Sequence, residues 1–427
     1  MSADRHHSSF DGSPLQVAVV GAGPAGRWLA SELARRQVAV ALVDPRIDKP
    51  WPNTYGVWID ELADLPQSVP MQRTFPRVSL RLNDQDPTLE RAYGLIDNQA
   101  FQRQLDRRLS ACKATSICGR VTGVAHGRSH STLHLADGRL LKAQIVVDAS
   151  GGAAALLRHR RGPSPAFQRA FGMVARFEGD PLQGRSMVLM DYRPLPGAPS
   201  VGEPTFLYGM HLGGDRYFVE ETVLVTKERT DFDALRQRLE RRLEHLGATV
   251  LSVEERERCH IPMGGPLPDF NQPLLGFGAA SGLVHPATGY QMTRMLGAGP
   301  ALARCLAQSL GAGLDRDQIC RRAWQVLWPA ALRQARLLLV FGRDVLLSFD
   351  RNATCRFFET FFALDDRDWR PYLSGLADHR QLASIMWRFF GAAPIGLRLA
   401  LAGQALSSGP QVYRALRPST SPGGIHG

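Results

Sequence analysis

Three glycines and one aspartate near the N-terminus have the spacing of a phosphate-binding turn. Gly21 permits a tight turn, Gly23 lets a pyrophosphate approach the backbone, and Gly26 allows the next helix to pack closely. Asp44 lies at the end of the following strand, where its carboxylate can accept hydrogen bonds from ribose hydroxyls. The predicted binding turn comprises Gly21, Ala22, Gly23, Pro24, Ala25 and Gly26.

The elements around this turn make it more specific than a Gly-rich run alone. Residues 17–20 are an apolar run typical of a buried parallel strand. Residues 27–36 are predicted to be helical, and residues 40–43 form a second buried strand. A strand, turn, helix and strand in this order predict a dinucleotide-binding βαβ unit, with the phosphates at the helix N-terminus.

Two later segments favour FAD over NAD as the dinucleotide. Residues 148–151 resemble the A-T-G type segment of two-domain flavoproteins. Residues 276–280 resemble their second flavin-binding segment, with Gly278 conserving the glycine and Ala279 replacing the usual acid. Gly289 fits the pattern downstream. We therefore expect FAD, with one hydrogen bond to its ribityl–phosphate region absent or supplied by another group.

The predicted fold class is α/β, with a Rossmann-like FAD-binding domain of the glutathione-reductase/hydroxylase type. A β-rich substrate domain is inserted into it, and a helical region follows. The predicted boundaries are 15–164 for the first part of the FAD-binding domain, 165–260 for the substrate domain, 261–300 for the return, and 301–427 for the helical region.

Composition limits the classes of partner. The net charge of +11 is attractive to anionic surfaces, but arginines are scattered and no nucleic-acid-binding motif is present, so nucleic acid is not expected. The six cysteines contain no C-x-x-C pair, so no metal site is predicted and a reducing compartment is favoured. The sequence also predicts no signal peptide, transit peptide or transmembrane helix.

Five separated motifs, in order over residues 17–375, resemble those of the plant-type lycopene cyclases. These motifs are WPNTYGVW at 51–58, FVEET at 218–222, IPMGGPLP at 261–268, VHPATGY at 284–290, and LWP at 327–329 with RFFETFF at 356–362. The resemblance implies that the linear ends of lycopene are cyclised to β- or ε-ionone rings without net redox change. It also implies a reduced FAD, with NADPH or NADH as the electron source.

The implied chemistry begins with a proton delivered to the terminal C1=C2 double bond. The resulting cation is attacked by C5=C6, and a proton then leaves C6 for a β-ring or C4 for an ε-ring. A carboxylic acid in an apolar pocket suits the first step, because burial raises its pKa. An anionic reduced flavin nearby can stabilise the cation or take part in proton transfer.

Glu220 and Glu221 are the candidate acids. They are adjacent on a predicted strand, so their side chains point to opposite faces and only one can readily face the pocket. The family motif favours Glu220, with Glu221 second. A surface pair of acids is the alternative.

Five further residues are tentative substrate-site candidates: Trp51, Tyr55, Trp58, Asp191 and His285. The three aromatic residues either line a tunnel for the polyene or simply pack. Asp191 either takes part in a proton relay or forms a structural salt bridge. His285 either orients a group near the flavin or is a satisfied loop histidine.

Ring specificity remains open, with lycopene β-cyclase favoured and ε- or mixed cyclases as the alternative. A flavin monooxygenase on the same fold is a rival, but it usually carries A-D-G where this chain has Ser150 at the central position. A lipid-binding chaperone relative is a second rival, although it would not need an intact phosphate-binding turn.

The substrate implied by the resemblance, lycopene or another linear carotenoid, lies in a bilayer, so contact with a membrane surface is expected. Residues 382–406 are rich in apolar side chains and are interrupted by Arg388, Pro394 and Arg398. Such a segment either lies in the membrane interface or forms a core helix pair. The expected location is peripheral, on the cytoplasmic side of what the resemblance implies is a photosynthetic membrane. The oligomeric state stays open.

Overall fold

A computed structural model describes residues 15–65, 67–83, 86–162, 164–195, 203–228 and 230–407. Within these residues the strands are β1 (Leu15–Val20), β2 (Val40–Asp44), β3 (Gly56–Trp58), β4 (Met71–Phe75), β5 (Val78–Arg81), β6 (Thr88–Leu89), β7 (Tyr93–Ile96), β8 (Thr115–Cys118), β9 (Val121–His126), β10 (Ser131–Leu135), β11 (Leu140–Asp148), β12 (Ala166–Glu178), β13 (Met187–Asp191), β14 (Thr205–Gly213), β15 (Arg216–Thr226), β16 (Thr249–Met263) and β17 (Leu275–Gly276).

The helices alternate with these strands early in the chain and dominate its C-terminal part. They are α1 (Pro24–Ala34), α2 (Asn98–Ala111), α3 (Phe232–His245), α4 (Met292–Gly311), α5 (Arg316–Leu327), α6 (Ala330–Leu347), α7 (Arg351–Phe362), α8 (Asp366–Ser374), α9 (His379–Ala392) and α10 (Ile395–Ser407). Short 3₁₀ turns cover Ile59–Leu62 and Gly278–Ser281.

The first sheet is the predicted nucleotide-binding sheet. Its strands run in the order β8-β2-β1-β11-β10-β9, with β17 beside β11. Pairing is parallel from β8 to β11 and antiparallel through β10 and β9. The apolar residues of β1 are almost fully buried because helices cover this parallel core. Trp28 of α1 donates its indole N–H to the carbonyl of Leu296, which fixes α4 against α1.

The second sheet separates two apolar cores. Its order is β16-β12-β15-β14-β13-β5-β6, antiparallel except where β13 meets β5. One face packs on α3 through residues such as Val219 and Leu239, and the other packs on the C-terminal helices through Phe218 and Leu339. Side chains alternate along β15, so successive residues enter different cores.

The predicted inserted domain corresponds to most of this second sheet, but β5 and β6 come from residues 78–89, within the segment assigned to the FAD-binding domain. A smaller sheet, β3-β7-β4, also arises from that segment. These pairings join strands that are distant in sequence, so a local sequence pattern does not predict them. After the second sheet, β17 pairs with β11 of the first sheet, and helices α4 to α10 follow it in the chain.

Candidate active site

The Gly-rich turn has the geometry that its sequence predicts. Gly21 adopts φ +106°, and a Cβ there would lie 2.5 Å from the carbonyl oxygen of Ala149. A Cβ on Gly26 would lie 1.8 Å from the carbonyl oxygen of Gly21. A Cβ on Gly23 would meet nothing within 4 Å, since this residue faces open space. The outer glycines are therefore required by packing, whereas Gly23 leaves room for a ligand.

Asp44 and Trp51 hold this turn in place. The Asp44 carboxylate accepts the backbone N–H of Ala22 at 2.8 Å and that of Arg46 at 2.6 Å. The Trp51 indole donates to the carbonyl of Ala22 at 3.0 Å. Both side chains line the same cavity as the turn. A carboxylate at the end of this strand suits hydrogen bonds to the ribose of a dinucleotide.

The return segment packs directly on the start of α1. Gly278 has φ +67°, and a Cβ there would lie 2.6 Å from the Cβ of Ala25. Ala279 and Gly289 line the cavity beside it. Gly289 also has a positive φ, and a Cβ there would lie 2.1 Å from Gln168 Oε1. These positions bring the predicted second flavin-binding segment to the same cavity as the Gly-rich turn.

A cavity of about 590 Å³ connects this turn with the second sheet and the C-terminal helices. Beyond the predicted cofactor residues, its walls are mainly aromatic and aliphatic. The apolar lining includes Leu189, Phe206, Phe218, Leu224, Phe358 and Phe362. Glu220 and Glu257 lie on the sheet side of this lining. The cavity therefore joins a nucleotide-binding turn to an apolar chamber that contains two carboxyl groups.

The two carboxyl groups occupy one row across the second sheet. Glu220 of β15 and Glu257 of β16 are both in register with Gly172 of β12, and Tyr208 of β14 is in register with Glu220. Because residues in register share a face, these side chains project together toward the cavity. A Cβ on Gly172 would lie 3.2 Å from the Cβ and Cγ of Glu220, so a glycine between them relieves crowding.

Glu220 is buried, and the Thr222 hydroxyl donates to its Oε1 at 2.8 Å. Burial, and then the negative charge of Glu257, raise the pKa of Glu220 to about 8. The side chain is therefore a neutral carboxylic acid near neutral pH, which is the protonation state that acid catalysis needs.

Glu257 has a different set of partners. Its Oε2 accepts the backbone N–H of Thr54 at 3.0 Å, and its Oε1 accepts the Cys259 thiol at 2.8 Å. Burial raises the pKa of Glu257 as well, and the two donors oppose that rise because they favour the carboxylate. One carboxyl oxygen from each glutamate and the Cys259 sulfur all lie within 4.8 Å of one another.

Glu221 points away from this cavity. It is fully buried on the α3 side of the sheet, where its two carboxyl oxygens accept the Arg242 guanidinium at 2.7 and 2.8 Å. Asp191 also lies outside the cavity lining and is paired with Arg193 at 2.7 Å and Arg81 at 3.5 Å. Both acids therefore belong to a buried ion-pair cluster behind the sheet.

The remaining sequence candidates divide between the cavity and the core. Tyr55 lines the cavity, and burial followed by the charge of Glu257 raises the pKa of its phenol. Trp58 packs instead against Tyr93 and Trp369 in the core.

His285 lies in the core as well. Its Nε2 contacts the Tyr372 carbonyl at 3.0 Å, and burial lowers the pKa of the imidazole to about 3. Neutral His285 thus fastens its loop to α8.

Glu257 and Cys259 were missed in the sequence. Glu257 lies within, and Cys259 directly after, residues 254–258 of β16, all of which are charged, and such a run is typical of a solvated edge. The sequence feature that could have identified them is their i, i+2 spacing just before the IPMGGPLP motif. Residues with this spacing on a strand lie on the same face. The pairing of β16 with β12 brings that face to Glu220.

These residues fit an FAD-type dinucleotide. The open space at Gly23, the N-terminus of α1 and the carboxylate of Asp44 lie in one continuous cavity with the return segment at Ala279. The isoalloxazine side of such a ligand would extend toward the chamber that contains Glu220.

Solved structures with this fold are flavoproteins or relatives of them. A geranylgeranyl bacteriochlorophyll reductase-like protein from Thermoplasma acidophilum aligns with a TM-score of 0.67 at 13% identity, covering 89% of this chain and 99% of that one. A probable FAD-dependent monooxygenase from Pseudomonas aeruginosa aligns with a TM-score of 0.55 at 18% identity, covering 80% and 99%. At these identities the likeness establishes the predicted flavoprotein fold, not the reaction.

Sequence comparison is more specific. The family described as "Lycopene cyclase protein" matches residues 16–399. Lycopene beta cyclase from Arabidopsis thaliana is 36% identical, covering 86% of this chain and 76% of that protein. Lycopene beta cyclase from an Oncidium hybrid cultivar is 35% identical, covering 91% of this chain and 83% of that protein. Capsanthin/capsorubin synthase from Capsicum annuum is 33% identical, covering 90% of this chain and 80% of that protein. The chain belongs to the lycopene cyclase family, and so to the enzymes of carotenoid cyclisation.

Proposed function

We propose that this protein is a lycopene β-cyclase that converts the linear ends of lycopene to β-ionone rings without net oxidation, giving γ-carotene and then β-carotene. The observation that carries the proposal is the buried Glu220, held in its neutral form inside an apolar cavity that is continuous with a dinucleotide-binding turn. A surface carboxylate or an open polar cleft would not support this chemistry.

Glu220 is the proposed acid of the first step. Its raised pKa keeps the proton on the carboxyl at neutral pH, and the surrounding apolar side chains exclude water that would otherwise capture a carbocation. The Thr222 hydroxyl orients the carboxyl, so its proton has a defined direction toward the chamber. Delivery of this proton to the terminal C1=C2 double bond starts ring closure.

The aromatic lining supports the next step, in which C5=C6 attacks the cation. Phe206, Phe218 and Phe358 line the chamber, and aromatic faces attract cations. FAD bound at the Gly-rich turn, reduced by NADPH or NADH, would supply further negative charge beside the chamber. Loss of a proton then completes the ring, so the reaction is an isomerisation of the intramolecular lyase type.

A β-ring product is supported by the relatives, several of which are named lycopene beta cyclase at 35–36% identity. A second candidate function rests on the same comparison. Capsanthin/capsorubin synthases and a neoxanthin synthase match at 33–35% identity, so a related rearrangement of a xanthophyll end group is the alternative. An ε-cyclase or mixed cyclase differs from a β-cyclase by the carbon that loses the proton.

We propose that α9 and α10 dock on a membrane surface from which the carotenoid enters. No helix within the described residues is long and apolar enough to cross a membrane. Large apolar side chains nevertheless protrude from these two helices: Trp387 at 75% exposure, Ile395 at 78%, Leu399 at 68% and Leu406 at 85%. Such protruding side chains suit insertion into a bilayer interface.

The same helices are connected to the cavity. Phe389 of α9 packs on Phe357 of α7 with ring centroids 4.8 Å apart, while Phe358 and Phe362 of α7 line the cavity. One helix thus lies between the proposed membrane-binding surface and the substrate chamber. Arg388, which interrupts the apolar residues of α9, pairs with Asp368 of α8 at 2.8 Å.

Expression in a lycopene-accumulating bacterium tests the proposed reaction. Pigment chromatography should show β-carotene, with γ-carotene as the one-ring intermediate. Feeding epoxy-xanthophylls to the purified protein tests the second candidate function. Unchanged lycopene with a flavin-loaded, membrane-bound protein would contradict the proposal, and δ- or ε-carotene would replace it with the ε-cyclase alternative.

A further inference from the structure

The acid-catalysed half of the proposed reaction leaves two requirements unmet. A base must remove a proton from the cyclised cation, and the acid must recover its own proton before the next ring. A single carboxyl group at Glu220 would have to do both from one position. The chamber contains a second carboxyl group, Glu257, that no step has so far used.

We propose that Glu257 is the catalytic base that removes the C6 proton, and that the Cys259 thiol returns this proton to Glu220. This inference rests on the proposed cyclase function and assigns its second step. Three observations carry it: the shared row on the sheet, the distinct hydrogen-bond partners of the two carboxyl groups, and the position of the thiol between them.

The row fixes the separation of the two groups. Glu220 of β15 and Glu257 of β16 lie on either side of Gly172 of β12, and one carboxyl oxygen of each lies within 4.8 Å of the other. In lycopene, C2 and C6 are both bonded to C1 in the closing ring, so the proton is gained and lost at carbons two bonds apart. Two carboxyl groups side by side on one wall can therefore reach both carbons from the same face of the ring.

The hydrogen bonds give the two groups opposite roles. Glu257 accepts from a backbone N–H of Thr54 and from the Cys259 thiol, and both donors stabilise a carboxylate. Within the described residues, no backbone N–H donates to Glu220. Burial and the charge of Glu257 raise the pKa of Glu220, so its carboxyl group keeps its proton. Two close carboxyl groups do not readily ionise together, so the pair holds one proton, placed on Glu220.

Thr54 also ties this base to the loop at residues 51–58. Its N–H donates to Glu257, while Trp51 of the same loop donates to the Gly-rich turn. The loop therefore sets the position of the base relative to the nucleotide-binding turn. Because C4 lies two bonds from C6, a small displacement of this carboxylate selects an ε-ring over a β-ring.

Cys259 completes the proton balance. Its sulfur donates to Glu257 at 2.8 Å and accepts from the Asn53 amide at 3.6 Å, and it also interacts with Glu220. After one ring closes, Glu220 is ionised and Glu257 is protonated. The thiol passes its proton to Glu220 and takes one from Glu257, which restores the starting state with no net change in protons or electrons.

The test uses purified holoprotein with FAD and NADPH, lycopene in liposomes, and D₂O as solvent. Glu257→Gln keeps the side-chain volume but removes the base. We expect it to form ring product about 100-fold more slowly or worse. Protonation at Glu220 still occurs, and the cation collapses back to lycopene by loss of a C2 hydrogen, so recovered lycopene should carry deuterium at C2. A purely structural role would give no such exchange.

The exchange is measured at several pH values below neutral, because removal of the Glu257 charge lowers the pKa of Glu220. The matched control is Glu254→Gln, an exposed residue of the same strand that forms ion pairs with Arg176 and Arg216. It should cyclise lycopene at the wild-type rate and give no labelled lycopene.

Full activity of Glu257→Gln would overturn the inference while leaving the cyclase function intact. Loss of product without any deuterium in lycopene, from a folded and flavin-bound variant, would also overturn it, since Glu257 would then act before protonation. If Glu257→Gln fails to fold, Glu257→Asp should cyclise more slowly with a higher share of ε-rings, and an unchanged rate and ring ratio would overturn the inference. A wild-type protein that leaves lycopene unchanged and unlabelled would instead remove the cyclase function.

The proposed proton relay through Cys259 is tested separately, by the rates of the first and later turnovers. Cys259→Ala should complete its first ring at the wild-type rate and then slow, giving a burst, whereas Cys259→Ser should restore later turnovers because a hydroxyl also relays protons. Equal later turnover rates in the alanine variant and the wild type would overturn the relay.

Discussion

A carboxyl oxygen of Glu220 lies within 4.8 Å of a carboxyl oxygen of Glu257, across the side-chain-free position of Gly172. Burial raises the pKa of both carboxyl groups, and that of Glu220 is raised to about 8. A chamber lined by phenylalanines and continuous with a dinucleotide-binding turn surrounds the pair. This relationship links the fold to the proposed chemistry.

Replacement of the acid should stop cyclisation. Glu220→Gln preserves the shape of the side chain but cannot deliver a proton, so we expect a loss of about 100-fold or more in the rate of ring formation. Because Glu220 lies on β15 of the second sheet and belongs to neither the Gly-rich turn nor the return segment, flavin content should be unchanged. Pigment chromatography and the flavin absorbance of the same preparation measure both. A cyclising Glu220→Gln protein would refute the assigned acid.

The pH dependence of the cyclisation rate should follow the ionisation of Glu220. Activity requires the neutral form, so the rate should fall as pH rises through about 8. Stability should change in the same direction: the folded protein holds this proton more tightly than the unfolded chain, so the contribution is present at low pH and is lost as pH rises through about 8. Rates measured in buffers of constant ionic strength test this, and a profile that stays flat well above pH 8 would contradict it.

Glu221 should affect folding rather than chemistry. Removing one member of the buried Glu221–Arg242 pair leaves an uncompensated charge, so Glu221→Ala should lower the free energy of unfolding by about 3 kcal/mol. Replacing both residues by methionine should recover much of that loss. Denaturant titration measures stability, and the folded fraction of the single variant should still cyclise lycopene. An inactive but fully stable Glu221→Ala protein would assign chemistry to this residue.

Substitutions at two glycines of the turn should affect different properties, cofactor binding at Gly23 and folding stability at Gly26. Gly23→Val places a side chain in open space, so it should leave unfolding unchanged but exclude the pyrophosphate and yield flavin-free protein. Gly26→Ala forces a Cβ against the carbonyl of Gly21 and should destabilise the protein by about 1–3 kcal/mol. Normal FAD content in the folded Gly23→Val variant would contradict the assigned cofactor position.

The protruding face of α9 and α10 should govern membrane affinity. Trp387→Ser should weaken binding to anionic liposomes about tenfold, in line with the loss of one large buried apolar side chain. Leu251→Ser, which removes another exposed apolar side chain, this one from β16, is the control and should bind like wild type. Sedimentation with vesicles measures both, and equal binding of the two variants would place the membrane contact elsewhere.

Local patterns predicted much of the nucleotide-binding part because its residues are close in sequence. The turn at Gly21–Gly26 and the strand ending at Asp44 form within one βαβ unit, so spacing alone locates them. The alternation of β15 likewise predicted that Glu220 and Glu221 would face opposite sides. Which of the two faces the cavity depends on where α3 and the C-terminal helices pack, and no local pattern contains that.

The second carboxyl group could not be found from local patterns. Glu257 reaches Glu220 only because β12 lies between β15 and β16, a pairing of segments far apart in the chain. The aromatic residues of the loop at 51–58 show the same limit: Trp51 and Tyr55 line the cavity, whereas Trp58 is packed against Trp369 in the core. The sequence left both tunnel lining and simple packing open for these rings, and the tertiary fold assigns each of them.

The most direct test of the central claim is mass spectrometry of the carotenoid formed by the holoprotein in D₂O. The protons on Glu220 and Cys259 exchange with solvent before the substrate binds, so a single turnover predicts one deuterium per ring, located at C2, in β-carotene of unchanged oxidation state. Glu220→Gln should give neither product nor label. Ring product without deuterium at C2, or an oxygenated product, would contradict acid-catalysed cyclisation by Glu220.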